Sequence, residues 1–232
     1  MSYITENLQA VTAQLVAAAR NAGREPPEIA LLAVSKTISP DTVMEAHAAG
    51  QRAFGENYLQ EALDKMAALK DRAPDIEWHF IGPIQSNKTR PIAENFAWVH
   101  SVDRLKVAER LSVQRPAALA PLNICIQVNV SGEASKSGCT PHDLSALAQA
   151  VAGLPGLKLR GLMTIPEPAA TEAEQRRPLR ALRELAERLR ADGLALDTLS
   201  MGMSADLAAA IAEGATMVRI GTAIFGERHH AR

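Results

Sequence analysis

Lys36 follows an apolar run, Ile29-Ala30-Leu31-Leu32-Ala33-Val34, with only Ser35 between. Preceded by Pro26-Pro27, a short run of that kind reads as a strand buried on both faces. A lysine at its exit sits half-desolvated at the rim of a sheet. Desolvation disfavours the ammonium form, which frees the amine as a nucleophile toward carbonyls. Taken alone, the position also reads as a snorkelling lysine whose stem covers the rim while its head stays in water.

A second constellation lies near the C-terminus. In Ser200-Met201-Gly202-Met203-Ser204 the pattern predicts a strand that turns into a helix beginning Ala205-Asp206-Leu207. Glycine there permits close backbone approach, Ser204 can donate its hydroxyl, and the first helical amides can face an anion. Arg219-Ile220-Gly221-Thr222 adds amides, a hydroxyl and a guanidinium. Singly, Ser204 reads as a helix cap and Gly221 as a strand end; together they read as a phosphate nest. Arg219 interrupts an apolar run, where a charge without a partner is expensive. Its planar fork suits a ligand phosphate, or an internal ion pair with Glu56. A nucleophilic lysine facing a phosphate nest describes two chemistries. One is a class I aldolase acting on a sugar phosphate; the other is pyridoxal 5′-phosphate held as a Schiff base. The residues alone leave both open.

The elements that must position these groups alternate along the chain. Short apolar runs predict strands at Ile29–Val34, Arg52–Gly55, Ile76–Ile81, Trp98–Ser101, Leu122–Val130, Leu157–Thr164, Leu196–Met201 and Met217–Gly221. Amphipathic segments between them predict helices at Pro40–Ala49, Tyr58–Arg72, Lys88–Asn95, Arg104–Ser112, Pro141–Ala152, Ala173–Ala191 and Ala205–Glu213. A further helix, Ser2–Ala22, comes first, with Ile4, Leu8, Val11 and Leu15 on one face. Ser39-Pro40 and Thr140-Pro141 place a capping residue before a proline at the first helical position. Eight repeated βα units favour one closed (β/α)8 TIM-type barrel over residues 1–232, with an open doubly wound sheet as the alternative. Barrel active sites form at the carboxyl ends of the strands, and it is there that Lys36, Glu56-Asn57, Ser200 to Ser204 and Arg219 to Thr222 fall.

Bulk composition excludes several classes. The 25 basic and 26 acidic residues leave a formal charge of −1, with no electrostatic footprint for nucleic acid or an anionic membrane. Two cysteines, Cys125 and Cys139, make no disulfide framework, and Cys125 in its strand reads as an inert buried thiol. The histidines form no metal-binding motif. No apolar stretch spans a bilayer and Met1 to Glu6 does not resemble a signal peptide, so a cytoplasmic protein is expected.

Seven blocks of the chain resemble the YggS/PLPBP family of pyridoxal phosphate homeostasis proteins. They are Ala33 to Thr37, Phe54 to Tyr58, Trp78 to Gly82, Gln85 to Lys88, Gly132 to Gly138, Leu199 to Ser204 and Val218 to Gly226. The resemblance implies a single barrel like the N-terminal domain of alanine racemase, with pyridoxal 5′-phosphate as cofactor. It makes Lys36 the Schiff-base lysine and Ser204, Arg219, Gly221 and Thr222 the phosphate ligands, with Ser200 nearby. Asn57 matches a position near the cofactor ring. Lys136 matches a second lysine with a part in cofactor exchange; the alternative is a solvated loop lysine. Lys88 and His79 read as structural. Ile38 departs from the pattern, since many relatives carry a further lysine there.

Resemblance to a racemase domain does not imply racemization. A two-base mechanism needs a second acid/base group across the cofactor from the lysine. In alanine racemases a tyrosine from a separate C-terminal domain supplies it, and here the sequence stops at Arg232, soon after strand 8, with Tyr3 and Tyr58 its two tyrosines. The expectation is a monomeric carrier and buffer of the reactive aldehyde, with apo-enzymes as recipients and little turnover; the alternative is an amino-acid racemase using Tyr58 or solvent.

Overall fold

The computed structural model describes residues 2–132 and 137–226. Eight strands close a parallel barrel in sequence order: β1 (Ala30–Val34), β2 (Ala53–Glu56), β3 (Glu77–Phe80), β4 (Trp98–Val102), β5 (Leu122–Gln127), β6 (Leu157–Met163), β7 (Thr198–Ser200) and β8 (Met217–Ile220). The ring is sealed by β1 against β8, with Leu32 opposite Arg219 and Ala33 opposite Ile220. The open sheet is thereby replaced by the closed one.

The helices are α1 (Tyr3–Asn21), α2 (Pro40–Ala48), α3 (Leu59–Leu69), α4 (Thr89–Asn95), α5 (Leu105–Gln114), α6 (Leu144–Ala152), α7 (Glu172–Ala191), α8 (Leu207–Ala212) and α9 (Thr222–Phe225). Ser39 caps α2 as expected, its Oγ accepting from Thr42 N, and Pro40 is the first helical residue. Thr140-Pro141 behaves differently. Thr140 Oγ1 bonds both the side chain and the backbone N–H of Asp143, closing a local turn, and α6 starts only at Leu144. α1 buries Ile4, Leu8, Val11 and Leu15, and its Asn7 side chain donates to the Ile224 carbonyl, tying it to the chain after β8.

The apolar residues divide by face. One large cluster joins strands to helices, including Val43, Ala46, Phe54, Leu111, Leu182 and Ile211. Two small clusters contain no helical residue: Leu32, Val34, Ile81 and Met217, and Trp98, Cys125 and Met163. These fill the barrel interior. Between them lies a buried polar group, His79, His100, Ser200 and Arg219. Cys125 is the inert thiol expected, burial pushing it up to about 12.

Candidate functional site at the barrel mouth

Leu32 and Val34 point into the barrel, whereas Ser35 faces outward to α3. Ser35 N still bonds Gly55 O, so the extended chain continues one residue past Val34 before it turns through Lys36 and Thr37, at the carboxyl end of β1. Behind it lies a buried ion cluster. Lys65 Nζ donates to Ser35 O at 2.7 Å, to Glu56 Oε1 at 2.6 Å and to Glu61 Oε1 at 3.1 Å. Ser35 Oγ donates to the same Glu56 oxygen at 2.6 Å. Thr37 N donates to Glu61 Oε1 at 2.6 Å, and Thr37 adopts φ +63°, unique among the non-glycine residues described. A β-branched residue in the left-handed region costs about 1–3 kcal/mol, sustained only where the surroundings over-determine it. Burial raises the Glu56 carboxyl above its ordinary range against the opposing pull of Lys65.

A chain of hydrogen bonds crosses the barrel interior. Glu77 Oε1 lies 2.9 Å from His79 Nε2, His79 Nδ1 lies 2.9 Å from His100 Nε2, and His100 Nδ1 lies 2.8 Å from Ser200 Oγ. Arg219 Nη1 then donates to Ser200 Oγ and Nη2 to the Thr164 carbonyl, each at 2.8 Å. The carboxylate end, with both imidazoles neutral, fixes every proton along the chain. A guanidinium only donates; an ionised carboxylate only accepts, and the hydrogen bond from His79 holds Glu77 below the usual carboxylate range. Ser200 therefore donates to His100, His100 to His79, and His79 to Glu77. Both imidazoles are neutral Nε2–H tautomers. Burial lowers both histidines, His100 well below its ordinary value with help from Arg219. Trp98 stacks on His79 with ring centroids 5.3 Å apart, holding the ring in plane.

Arg219 is 4% exposed, and burial pushes its guanidinium down to about 10, which leaves it charged near neutrality. Its two hydrogen-bond partners are neutral oxygens. The internal pair with Glu56 does not form, because Glu56 is on the helix side of β2 and paired with Lys65. After β8, Gly221 and Thr222 leave the barrel beside the exit of β1, and Thr222 starts α9 in an exposed position. Gly202 turns the chain after β7 at φ +97°, and a Cβ there would meet the Ala210 Cβ at 2.5 Å.

Ser204 lies exposed in a turn, and α8 begins at Leu207 rather than Ala205. Asp206 occupies the N-cap position without capping the helix amides; its carboxylate instead accepts from Met203 N at 2.6 Å and closes the turn before the helix, two residues later than the serine alone suggests. Ser204 is thus not a cap. Asn57 is half-buried after β2, its Oδ1 enclosed without a hydrogen-bond partner. Lys136 lies outside the described residues. Sequence reasoning placed Lys36, Ser200, Arg219, Gly221 and Thr222 at one end of the barrel but missed Lys65, Glu61 and His100. A signal existed: Ala62, Lys65 and Leu69 share the buried stripe of α3, so a lysine occupied an apolar position.

A family model described as "Alanine racemase, N-terminal domain" matches residues 7–229. The chain is 66% identical over 230 residues to the pyridoxal phosphate homeostasis protein of Pseudomonas aeruginosa, covering 99% of this chain and 98% of that one. It is 52% identical to the protein of that name from Escherichia coli K12, across the full length of both. PipY of Synechococcus elongatus PCC7942, solved with PLP bound, superposes with a TM-score of 0.84 at 39% identity, over 96% of this chain and all of that one. Alanine racemase of Corynebacterium glutamicum shares the fold at 20% identity and TM-score 0.69, this chain spanning 62% of its length. Sequence blocks, closed barrel and full-length similarity agree: the chain belongs to the pyridoxal phosphate homeostasis protein family, on the alanine racemase N-terminal barrel.

Proposed function

We propose that the protein binds pyridoxal 5′-phosphate as a Schiff base on Lys36 and serves as a carrier and buffer of it, with little or no turnover. When bound, the cofactor supplies an electrophilic aldehyde and an anionic phosphate. The observation that carries the reading is Arg219, a buried cation bonded to neutral oxygens; it lies on β8, the strand paired with β1, which leads into Lys36. A buried charge of that kind favours an anionic or strongly accepting partner. The enclosed Asn57 Oδ1 on the neighbouring strand exit is a second polar atom awaiting a donor. In this reading Lys36 carries the aldehyde, and Gly221, Thr222 and Ser204, with Arg219, hold the phosphate. Ser200 orients Arg219, Asn57 faces the ring, and Lys136 assists exchange.

The racemase alternative requires an acid/base group opposite Lys36. Tyr58 is 56% exposed at the start of α3, and Tyr3 is 63% exposed, its ring against Gly226. Groups so solvated are poorly placed for controlled proton transfer at a carbanion. Among the described residues no helix is long and apolar enough to cross a membrane. The carrier role is tested by mixing loaded protein with an apo-enzyme that uses the same cofactor. Transfer faster than spontaneous release into buffer is expected. Transfer limited by that release, or deuterium entering amino-acid α-carbons in heavy water at a rate lost in Lys36→Ala, overturns the reading.

A further inference from the structure

Lys65 is a lysine where a helix needs an apolar residue, buried with Glu56 between β1, β2 and α3. A buried ion pair seldom outperforms well-packed apolar side chains, and here one carboxylate oxygen, Glu56 Oε2, is buried with no partner at all. Stability alone gives no account of the cluster. Its contacts do, because they converge on the two peptide units that flank one residue. The 35–36 peptide is held by its carbonyl, which accepts from Lys65 Nζ at 2.7 Å. The 36–37 peptide is held twice: its N–H donates to Glu61 Oε1 at 2.6 Å, and its carbonyl accepts from Thr37 Oγ1 at 2.6 Å. The Ser35 side chain is fixed to Glu56 as well. The three protons of the Lys65 ammonium are fully used on Ser35 O, Glu56 and Glu61, so one buried cation joins every anchor except the Thr37 hydroxyl. The residue between the two pinned peptides is Lys36, and the left-handed Thr37 is kept in place by the same contacts.

We propose that Lys65, with Glu56 and Glu61, is a positioning cluster that fixes the backbone on both sides of Lys36 and so aims its amine at the aldehyde. The inference rests on the assignment of Lys36 as the Schiff-base lysine. In the step concerned the neutral Lys36 amine adds to the aldehyde carbon. A C–N bond forms, and one water leaves with the former carbonyl oxygen and both amine protons. A misplacement of about 1 Å in such a reaction lowers its rate far more than it lowers binding of the rest of the molecule. Their contacts in this cluster are with the backbone on either side of Lys36, and it is through that backbone that they act.

The test separates aim from binding with two probes. Pyridoxal 5′-phosphate reports Schiff-base formation through its visible band and borohydride trapping. Pyridoxine 5′-phosphate has the same ring and phosphate with an alcohol for the aldehyde, so its affinity reports the remainder of the site. In Glu61→Ala and Lys65→Met the rate of band formation is expected to fall on the order of tenfold or more. Pyridoxine phosphate affinity should stay within about twofold, and Glu61→Gln, which keeps an oxygen for Thr37 N, should recover most of the rate. Glu61 is 32% exposed, so Glu61→Ala decides the matter even if Lys65→Met does not fold. An unchanged rate in a wild-type background that forms the band refutes the positioning role, and so does a parallel loss of both probes. Absence of the band in wild type instead removes the Lys36 assignment itself.

Discussion

The His100 imidazole and the Arg219 guanidinium meet on a single oxygen: Ser200 Oγ is 2.8 Å from His100 Nδ1 and 2.8 Å from Arg219 Nη1. The hydroxyl accepts from the cation and donates to the imidazole, so it cannot be replaced by a group with only one of those capacities. Ser200→Ala leaves both neighbours short of a partner in a closed interior, at a cost of roughly 1–3 kcal/mol. Urea unfolding of the variant at neutral pH should show that loss; a variant as stable as wild type contradicts the hydrogen-bond assignment.

The same chain sets a pH response. His79 and His100 are neutral in the fold and lie below the ordinary 6.5, burial being the main cause in each. Below about pH 6.5 the unfolded chain takes up protons that the native one refuses. Their contribution is therefore fully present above that value and lost as pH falls toward the depressed native values, by up to about 1.4 kcal/mol per pH unit for each histidine. The groups facing them are Glu77, which opposes the shift for His79, and Arg219, which reinforces it for His100. Unfolding free energies between pH 5 and 8 should slope accordingly, and His100→Gln should flatten the slope. A flat wild-type profile from 6.5 to 5 would contradict neutral histidines.

Arg219→Lys is not conservative here. One ammonium cannot span Ser200 Oγ and the Thr164 carbonyl as the fork does, and a compact charge is harder to desolvate. Loss of one charge-assisted hydrogen bond, about 1.5–3 kcal/mol, should weaken pyridoxine 5′-phosphate binding by roughly 10- to 100-fold. Calorimetric titration reads it directly; unchanged affinity removes Arg219 from the site.

Gly202→Ala meets two obstacles, φ +97° and the Ala210 Cβ at 2.5 Å. A loss of roughly 1–3 kcal/mol is expected, with the turn after β7 displaced. Native-like stability and native-like cofactor binding together would show that the turn relaxes without consequence.

The closed barrel was legible because each strand was a separate apolar run with punctuation around it, and β1 to β8 all fall on expected positions. Strand and helix ends were less so. Asp143 and Asp206 outcompete Thr140-Pro141 and Ser204 for the starts of α6 and α8 through turns that depend on local side-chain geometry. The clustering of Lys36, Gly221 and Thr222 followed from the rule that barrel sites gather at strand ends. The partner of Glu56 did not, because pairing across 9 positions to Lys65 depends on how α3 docks on β2. Nor did the interior chain: His79 and His100 lie on the neighbouring strands β3 and β4, but Ser200 lies on β7 and meets His100 only because the barrel closes.

The central claim is that Lys36 carries the cofactor. Purified protein incubated with pyridoxal 5′-phosphate should develop a visible absorbance band. Borohydride should abolish the band and leave one covalent pyridoxyl adduct, located on Lys36 by peptide mass spectrometry. Lys36→Ala should show neither band nor adduct. A persistent band in Lys36→Ala, or a wild-type adduct on another lysine, would contradict the account and assign the chemistry elsewhere on the barrel.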